Sequence, residues 1–386
     1  ARRGEMVSCF LLEMDDSLNS ITYNLNTSMQ LSKIGGGVAL NLSKLRARNE
    51  SIKEIENAAS GVLPVMKLLE DSFSYVNQLG QRPGAGAAYL NVFHWDVEEF
   101  LDTKKINADE KSRIQTLSIG LIVPSKFINL AKENQPMYVF APHTVFLATG
   151  KHLDDLNLDE VYDELVQNPA IKKRQLDPRK LLTHIAKMQF ESGYPYIVFK
   201  SNANAAHPLK EIGQIKMSNL CTEIFQLQET STITDYGEED QIRRDISCNL
   251  GSLNIVNVME RRALKESVYA GMDALTAVSS LSQIKNAPGI QKANEELNAV
   301  GLGSMNLHGY FAKNKIAYES ELAKEFVRTY FMMVNYYSIE RSMQIAMEKG
   351  RSFIGFEKSD YASGEYFKLY LTEDFTPKSD RVKELF

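Results

Sequence analysis

Five short apolar runs, CFLL at 9–12, VALNL at 38–42, AAYLNV at 87–92, IGLIV at 119–123 and YIVF at 196–199, are set apart by stretches with helical spacing. Strands that alternate with helices along a whole chain define the α/β class. The first run is continuous rather than alternating, which predicts a strand buried on both faces. Asp15, Asp16 and Ser17 are placed to cap a helix that ends at Gly35-Gly36-Gly37. Residues 60–79 carry Val62, Val65, Met66, Leu69, Phe73 and Val76 at three-to-four spacing, a one-faced helix. Asp96 is expected to cap a further helix in DVEEFLDTKK, and helical patterns recur at 126–134, 178–192, 266–282 and 321–349, the last stopped by Gly350. ARNESIKEIEN and QRPGAG (81–86) read as loops. No internal repeat or low-complexity linker interrupts the 386 residues, so one compact domain over 1–386 is expected.

Bulk properties exclude several classes of function. With 44% hydrophobic and 24% charged residues, the chain has an ordinary globular composition. A formal net charge of −5 argues against general affinity for nucleic acid or anionic membranes. No apolar run approaches the roughly 20 residues that a membrane helix needs. Three cysteines, at 9, 221 and 248, are too few and too scattered for a secreted disulfide framework, and no C-x-x-C pair supports zinc. A reducing, cytoplasmic location and no metal site are expected. The first residue is not Met and the last segment, RVKELF, is amphipathic, which reads as part of a longer polypeptide.

The cysteine neighbourhoods are the informative stretches. SNLCTEI puts Asn219, Cys221 and Glu223 at alternate positions. In extended backbone those three side chains would leave one face and converge on one volume. Taken alone, the pattern fits an unremarkable strand end with a buried cysteine better, because a buried thiol usually behaves as a small hydrophobe. DISCNLGSLN sets Cys248 just before a glycine turn, and Cys9 lies beside Ser8 in the first run. Two of the three could form a reversible dithiol and leave one reactive thiol, but spacing does not say which. Other features carry less. Gly35-Gly36-Gly37 and Gly84-Ala85-Gly86 lack the remaining residues of a phosphate loop or a dinucleotide fingerprint. Tyr336-Tyr337 falls in a helical pattern with Phe331, Val334, Ile339 and Met343 and is read as core packing. His94, beside Trp95, is assigned no chemistry.

Together SNLCTEI, DISCNLGSLNIVNVME, RRGEMVSCFLLEMDDSLNSI, SKIGGGVALNLSKLRA and FESGYPYIVF resemble the large catalytic subunit of class I ribonucleotide reductases, of the class Ib type. The resemblance covers essentially all 386 residues. It implies part of the ten-stranded α/β barrel shared with glycyl-radical enzymes, two parallel five-stranded halves joined antiparallel, with a cysteine-bearing loop up the middle. It implies that Cys221 becomes a thiyl radical and abstracts the 3′-hydrogen of a ribonucleoside 5′-diphosphate. Glu223 takes the 3′-OH proton and Asn219 orients the substrate. Cys9 and Cys248 are the redox pair that becomes a disulfide as the 2′-OH leaves as water. Ser8, Gly37, Leu220 and Thr222 join these as substrate contacts.

Asp16 and Arg46 match residues that bind a deoxynucleotide effector, and Arg82 lies in a loop that relays effector identity, stiffened here by Pro83. The resemblance implies no cofactor bound directly by this chain. A dimetal-tyrosyl small subunit supplies the radical, dNTP or ATP act as effectors, a glutaredoxin- or thioredoxin-like protein is the reductant, and the subunit is a homodimer. The N-terminal region and later half of the family subunit are expected to be missing, so the chain alone is expected to be inactive. Two rival readings remain: a non-catalytic piece that works only with its complementary segment, and another radical enzyme on the same barrel.

Overall fold

The computed structural model describes residues 5–78, 80 and 82–386, so Arg2, Arg3 and Gly4 of the first motif and Gln81 of QRPGAG lie outside the described residues. Contacts group the chain into two compact units where the sequence reading expects one domain. The first comprises residues 1–247 and 284–293, the second 248–283 and 294–386.

In the first unit the strands are β1 (Cys9–Glu13), β2 (Gly37–Asn41), β3 (Gly86–Asn91), β4 (Ser118–Val123), β5 (Met137–Phe140), β6 (Lys173–Leu176), β7 (Tyr196–Phe199) and β8 (Ile246–Ser247). A six-stranded sheet runs in the order β7-β4-β3-β2-β1-β8. Its first five strands are mutually parallel, and β8 closes onto β1 antiparallel, with Ser247 opposite Phe10. Five parallel strands followed by an antiparallel neighbour match what one barrel half and its junction require. Helices cover the sheet between strands, so β2, β3 and β4 are buried along their whole length.

Local chemistry explains most of the boundaries. Helix Leu18–Lys33, between β1 and β2, starts at Ser17, whose hydroxyl accepts from Ser20 N at 3.1 Å. It stops at Gly35, with φ +106°, a conformation that favours glycine. Helix Leu63–Tyr75 leads to β3 and buries Met66, Leu69 and Phe73. Gly86 is required beneath it, because a Cβ there would lie 2.1 Å from the Phe73 ring. Asp96 does occupy the N-cap position of helix Val97–Asp102, but it does not cap that helix. Its carboxylate accepts instead from the backbone of Arg48 (3.1 Å) and Val62 (3.2 Å), tying down the loop before helix Leu63–Tyr75. β5 and β6 form a separate antiparallel pair that the sequence reading does not predict, since KRQL has no apolar pattern.

The second unit contains a parallel pair, β9 (Leu250–Asn254) and β10 (Gly301–Met305), with long helices Leu264–Leu281 and Glu321–Lys349. Val268, Phe311, Phe326 and Tyr330 form its core. The expected stripe along Glu321–Lys349 needs correction. Val334 is buried, but Phe331, Tyr336 and Met343 are exposed, and the buried face is Ala323, Phe326, Tyr330 and Val334. No helix of the described residues is long and apolar enough to cross a membrane.

Asp245, just before β8, is buried, and its Oδ2 has no hydrogen-bond partner among the described residues. A Cβ on Gly289 would come within 2.3 Å of that oxygen, so glycine alone fits opposite it. Burial first, and then the Glu13 carboxylate, push Asp245 up from 3.8 to about 8. A carboxyl whose folded pKa exceeds its unfolded value takes up a proton on folding, so stability falls as pH rises between those two values. Asp245→Asn is therefore expected to stabilise the protein at pH 8 by roughly 1–3 kcal/mol and to change it little near pH 4. Thermal melts across that range check this; a shift independent of pH contradicts it.

Candidate active site

SNLCTEI is not extended. Thr222 N donates to Asn219 O at 3.1 Å and Thr222 sits at φ +65°, so the segment is a tight turn. The expected alternation therefore fails: Asn219 is buried, while Cys221 and Glu223 are exposed at the tip. Asn219 holds the turn from inside. Its Oδ1 accepts from Glu223 N (3.0 Å) and Ile224 N (3.1 Å), while Ser218 Oγ donates to Ile224 O at 2.8 Å. Its Nδ2 is buried without a partner in the described residues, which leaves amide donors for a ligand.

The chain reaches this turn through Ile215–Asn219, every residue of which is buried. At the start of the segment, Lys216 meets Glu13, the last residue of β1, at 2.6 Å. At its end, Leu220 lies over Gly37, the first residue of β2, where a Cβ would be 2.8 Å from Leu220 Cδ2. The segment thus travels along the sheet from the C-terminal ends of the strands to their N-terminal ends. There β1 and β2 open with Cys9 opposite Gly37, and Gly37 N donates to Ser8 O at 2.8 Å. Ser8, Cys9, Gly37, Leu220 and Cys221 are brought to one edge. Partial burial, then the Glu223 carboxylate, then Cys9 push the Cys221 thiol above the usual cysteine range. A thiol held protonated is a weak nucleophile and keeps its S–H hydrogen. Cys248 is buried in the second unit and follows Ser247 directly in the chain. Cys221 itself is exposed.

The opposite strand ends are sealed by charge. Asp154 is buried and accepts from Asn41 Nδ2 (2.7 Å) and Asn91 Nδ2 (2.8 Å), at the ends of β2 and β3. Glu13 and Asp155 share Lys216 and Lys44, with Lys216–Asp155 at 3.1 Å and Lys44–Asp155 at 3.2 Å. Burial alone would raise both acids; the two ammoniums more than offset it and hold Asp155 down at about 2 and Glu13 below its usual range.

Asp16 and Arg46 do meet. Arg46 Nε lies 2.7 Å from Asp16 Oδ2, and Arg46 N donates to Asp16 Oδ1 at 3.0 Å. His143 Nδ1, missed by the sequence reading, stands 3.9 Å from the same carboxylate. Arg82 is exposed, and its carbonyl accepts from Gln78 N at 2.9 Å. His94 is structural, as read: Asp96 N donates to Nδ1 (3.1 Å), leaving Nε2–H to donate to Leu45 O (2.9 Å). Among the described residues no cluster of His, Cys, Asp or Glu is arranged to hold a metal ion. Tyr89, which the sequence reading missed, reaches the cysteine turn from β3.

A mainly parallel α/β sheet with a buried segment leading to a cysteine turn at its N-terminal edge is the architecture expected of part of an α/β barrel. Comparison with known proteins agrees: the ribonucleotide reductase barrel domain matches residues 7–385, across both units. The chain belongs to the ribonucleotide reductase family. It is 55% identical over 385 residues to the ribonucleoside-diphosphate reductase subunit alpha of Bacillus subtilis, covering 100% of this chain and 55% of that protein. The Mycoplasma pneumoniae subunit alpha is 47% identical, over 100% of this chain and 54% of its own length. The nrdEB subunit alpha of Bacillus phage SPbeta is 28% identical over 770 residues, with 100% and 71% covered. The chain spans about half the length of the first two relatives.

Proposed function

We propose that the chain is a class Ib-type part of a cytoplasmic ribonucleoside-diphosphate reductase that supplies DNA precursors, with Cys221 as the hydrogen-abstracting residue. The supporting observation is the turn that presents Cys221, with its pKa raised, at the strand edge where Cys9 and Gly37 begin β1 and β2. The raised pKa favours hydrogen-atom chemistry over nucleophilic attack, which needs a thiolate.

In this reading a separate small subunit supplies the radical. The Cys221 sulfur takes the 3′-hydrogen, and the Glu223 carboxylate, two residues on, takes the 3′-OH proton. Asn219 Nδ2 donates to the substrate, and Ser8, Gly37, Leu220 and Thr222 bound its place. The 2′-OH leaves as water, with a proton from the Cys9/Cys248 dithiol. The same pair gives a hydrogen atom to C2′ and, as its sulfurs join, an electron to the C3′ carbonyl left behind, while Glu223 returns its proton to the 3′ oxygen; the pair ends as a disulfide. The Cys221 thiol then returns its hydrogen to C3′, so atoms and electrons balance as diphosphate plus dithiol giving deoxydiphosphate, disulfide and water. A glutaredoxin- or thioredoxin-like protein resets the pair. Holding sulfur and base within one turn supplies the proximity such a step needs.

The test is CDP reduction by the chain joined to the remainder of the subunit, with the radical subunit and a dithiol present. Deoxycytidine diphosphate is the expected product; none formed by the complete assembly refutes the reading. The chain alone is expected to give none. The Asp16–Arg46 pair supports a dNTP effector site in a homodimer. Arg46→Ala is expected to weaken dNTP binding about tenfold or more in titration calorimetry, by removal of a charge-assisted donor. Unchanged affinity contradicts that assignment.

A further inference from the structure

Tyr89, in the middle of β3, is buried, yet no motif identifies it. Its ring occupies space that Gly120 on β4 leaves open. The two residues are paired in register, and a Cβ on Gly120 would lie 2.3 Å from the ring. From there the phenol reaches the cysteine turn. Its oxygen is 2.7 Å from Asn219 O and 2.8 Å from Thr222 Oγ1. The polarity is fixed: a carbonyl can only accept, so the phenol proton goes to Asn219 O and the Thr222 hydroxyl donates back to the phenol oxygen.

Thr222 has a second peculiarity. It is β-branched and stands at φ +65°, a conformation that persists in such residues only when the surroundings enforce it. The residue held this way is the direct neighbour of Cys221. Glycine or asparagine would adopt that backbone at less strain, but neither would give the phenol a hydroxyl partner.

We propose that Tyr89 is a positioning residue that clamps the Cys221 turn, through Asn219 O and the Thr222 hydroxyl, in the geometry its chemistry uses. The inference rests on the reading of Cys221 given above, but the clamp itself can be tested without turnover. The first arm measures alkylation of Cys221 by iodoacetamide across pH, in the folded chain with Cys9 and Cys248 replaced by serine. Tyr89→Phe keeps the ring and removes only the hydroxyl. It is expected to raise the Cys221 alkylation rate about tenfold, the size of one buried hydrogen bond, and to move the pH midpoint down toward that of an ordinary cysteine. Thr222→Val, which removes the partner hydroxyl at similar size, is expected to do the same. The double variant should match Tyr89→Phe, because the bond that Thr222→Val removes is one of the two that Tyr89→Phe already removes.

The second arm uses the complete assembly with unaltered cysteines. There Tyr89→Phe is expected to lower kcat about tenfold or more with KM nearly unchanged. If CDP reduction fails altogether while the alkylation arm behaves as described, the clamp stands and the reductase reading falls. Alkylation rates and midpoints unchanged in Tyr89→Phe, or in Thr222→Val should Tyr89→Phe not fold, overturn the inference.

Discussion

Replacing Cys221 by serine is expected to abolish CDP reduction in the complete assembly, with a loss of about a thousandfold or more. The hydroxyl keeps the size and hydrogen-bonding capacity of the residue, and the turn is held by Asn219, Ser218 and Tyr89 rather than by the sulfur, so folding should survive. What is lost is an S–H bond weak enough to exchange a hydrogen atom with C3′. Cys9→Ser should behave differently, because Cys9 is assigned to the reducing pair. Hydrogen loss from C3′ remains possible there, so release of tritium from 3′-labelled substrate should persist while deoxynucleotide fails to form. Tritium release in both variants, or in neither, contradicts the division of roles among the three cysteines.

The second large effect concerns stability. Lys216 opens the buried segment that carries the cysteine turn, and its ammonium faces Glu13 and Asp155. Lys216→Met keeps much of the aliphatic stem but leaves two acids with Lys44 alone to oppose them. Breaking a buried ion pair from one side costs about 3–5 kcal/mol. Urea titration is expected to show a loss of that size, and Glu13→Gln added to Lys216→Met should recover part of it by removing the stranded charge. The acid limb should change as well. Asp155, held at about 2 in the folded protein, contributes stability that is present above its unfolded pKa and lost as pH falls through the folded one. Without Lys216 that loss should begin at higher pH. A variant within about 0.5 kcal/mol of the parent would show that the network is solvated rather than buried.

Much of the fold was legible because parallel strands covered on both faces must be apolar throughout, and β1 to β4 are such runs. Where a strand lacks that signature, as in KRQL, its pairing comes from a distant partner and local sequence is silent. Helix Glu321–Lys349 misled for the opposite reason: apolar residues lie all around it, so spacing does not select which face is covered. At the site, the cysteines stood out through resemblance, but the form of the Cys221 turn did not. A threonine at positive φ runs against its own preference, and what holds it comes from Tyr89, 133 residues away. The sealed strand ends were equally hidden, since Asn41 and Asp154 are 113 residues apart. Tertiary placement, which no periodicity encodes, decides both.

Whether Cys221 abstracts hydrogen while Cys9 and Cys248 supply the electrons is decided by a single turnover without external reductant, followed by peptide mapping of the cysteines. The predicted result is one Cys9–Cys248 disulfide per deoxycytidine diphosphate formed, with Cys221 recovered as a thiol. Product formed with Cys9 and Cys248 still reduced, or with Cys221 inside the disulfide, would contradict it.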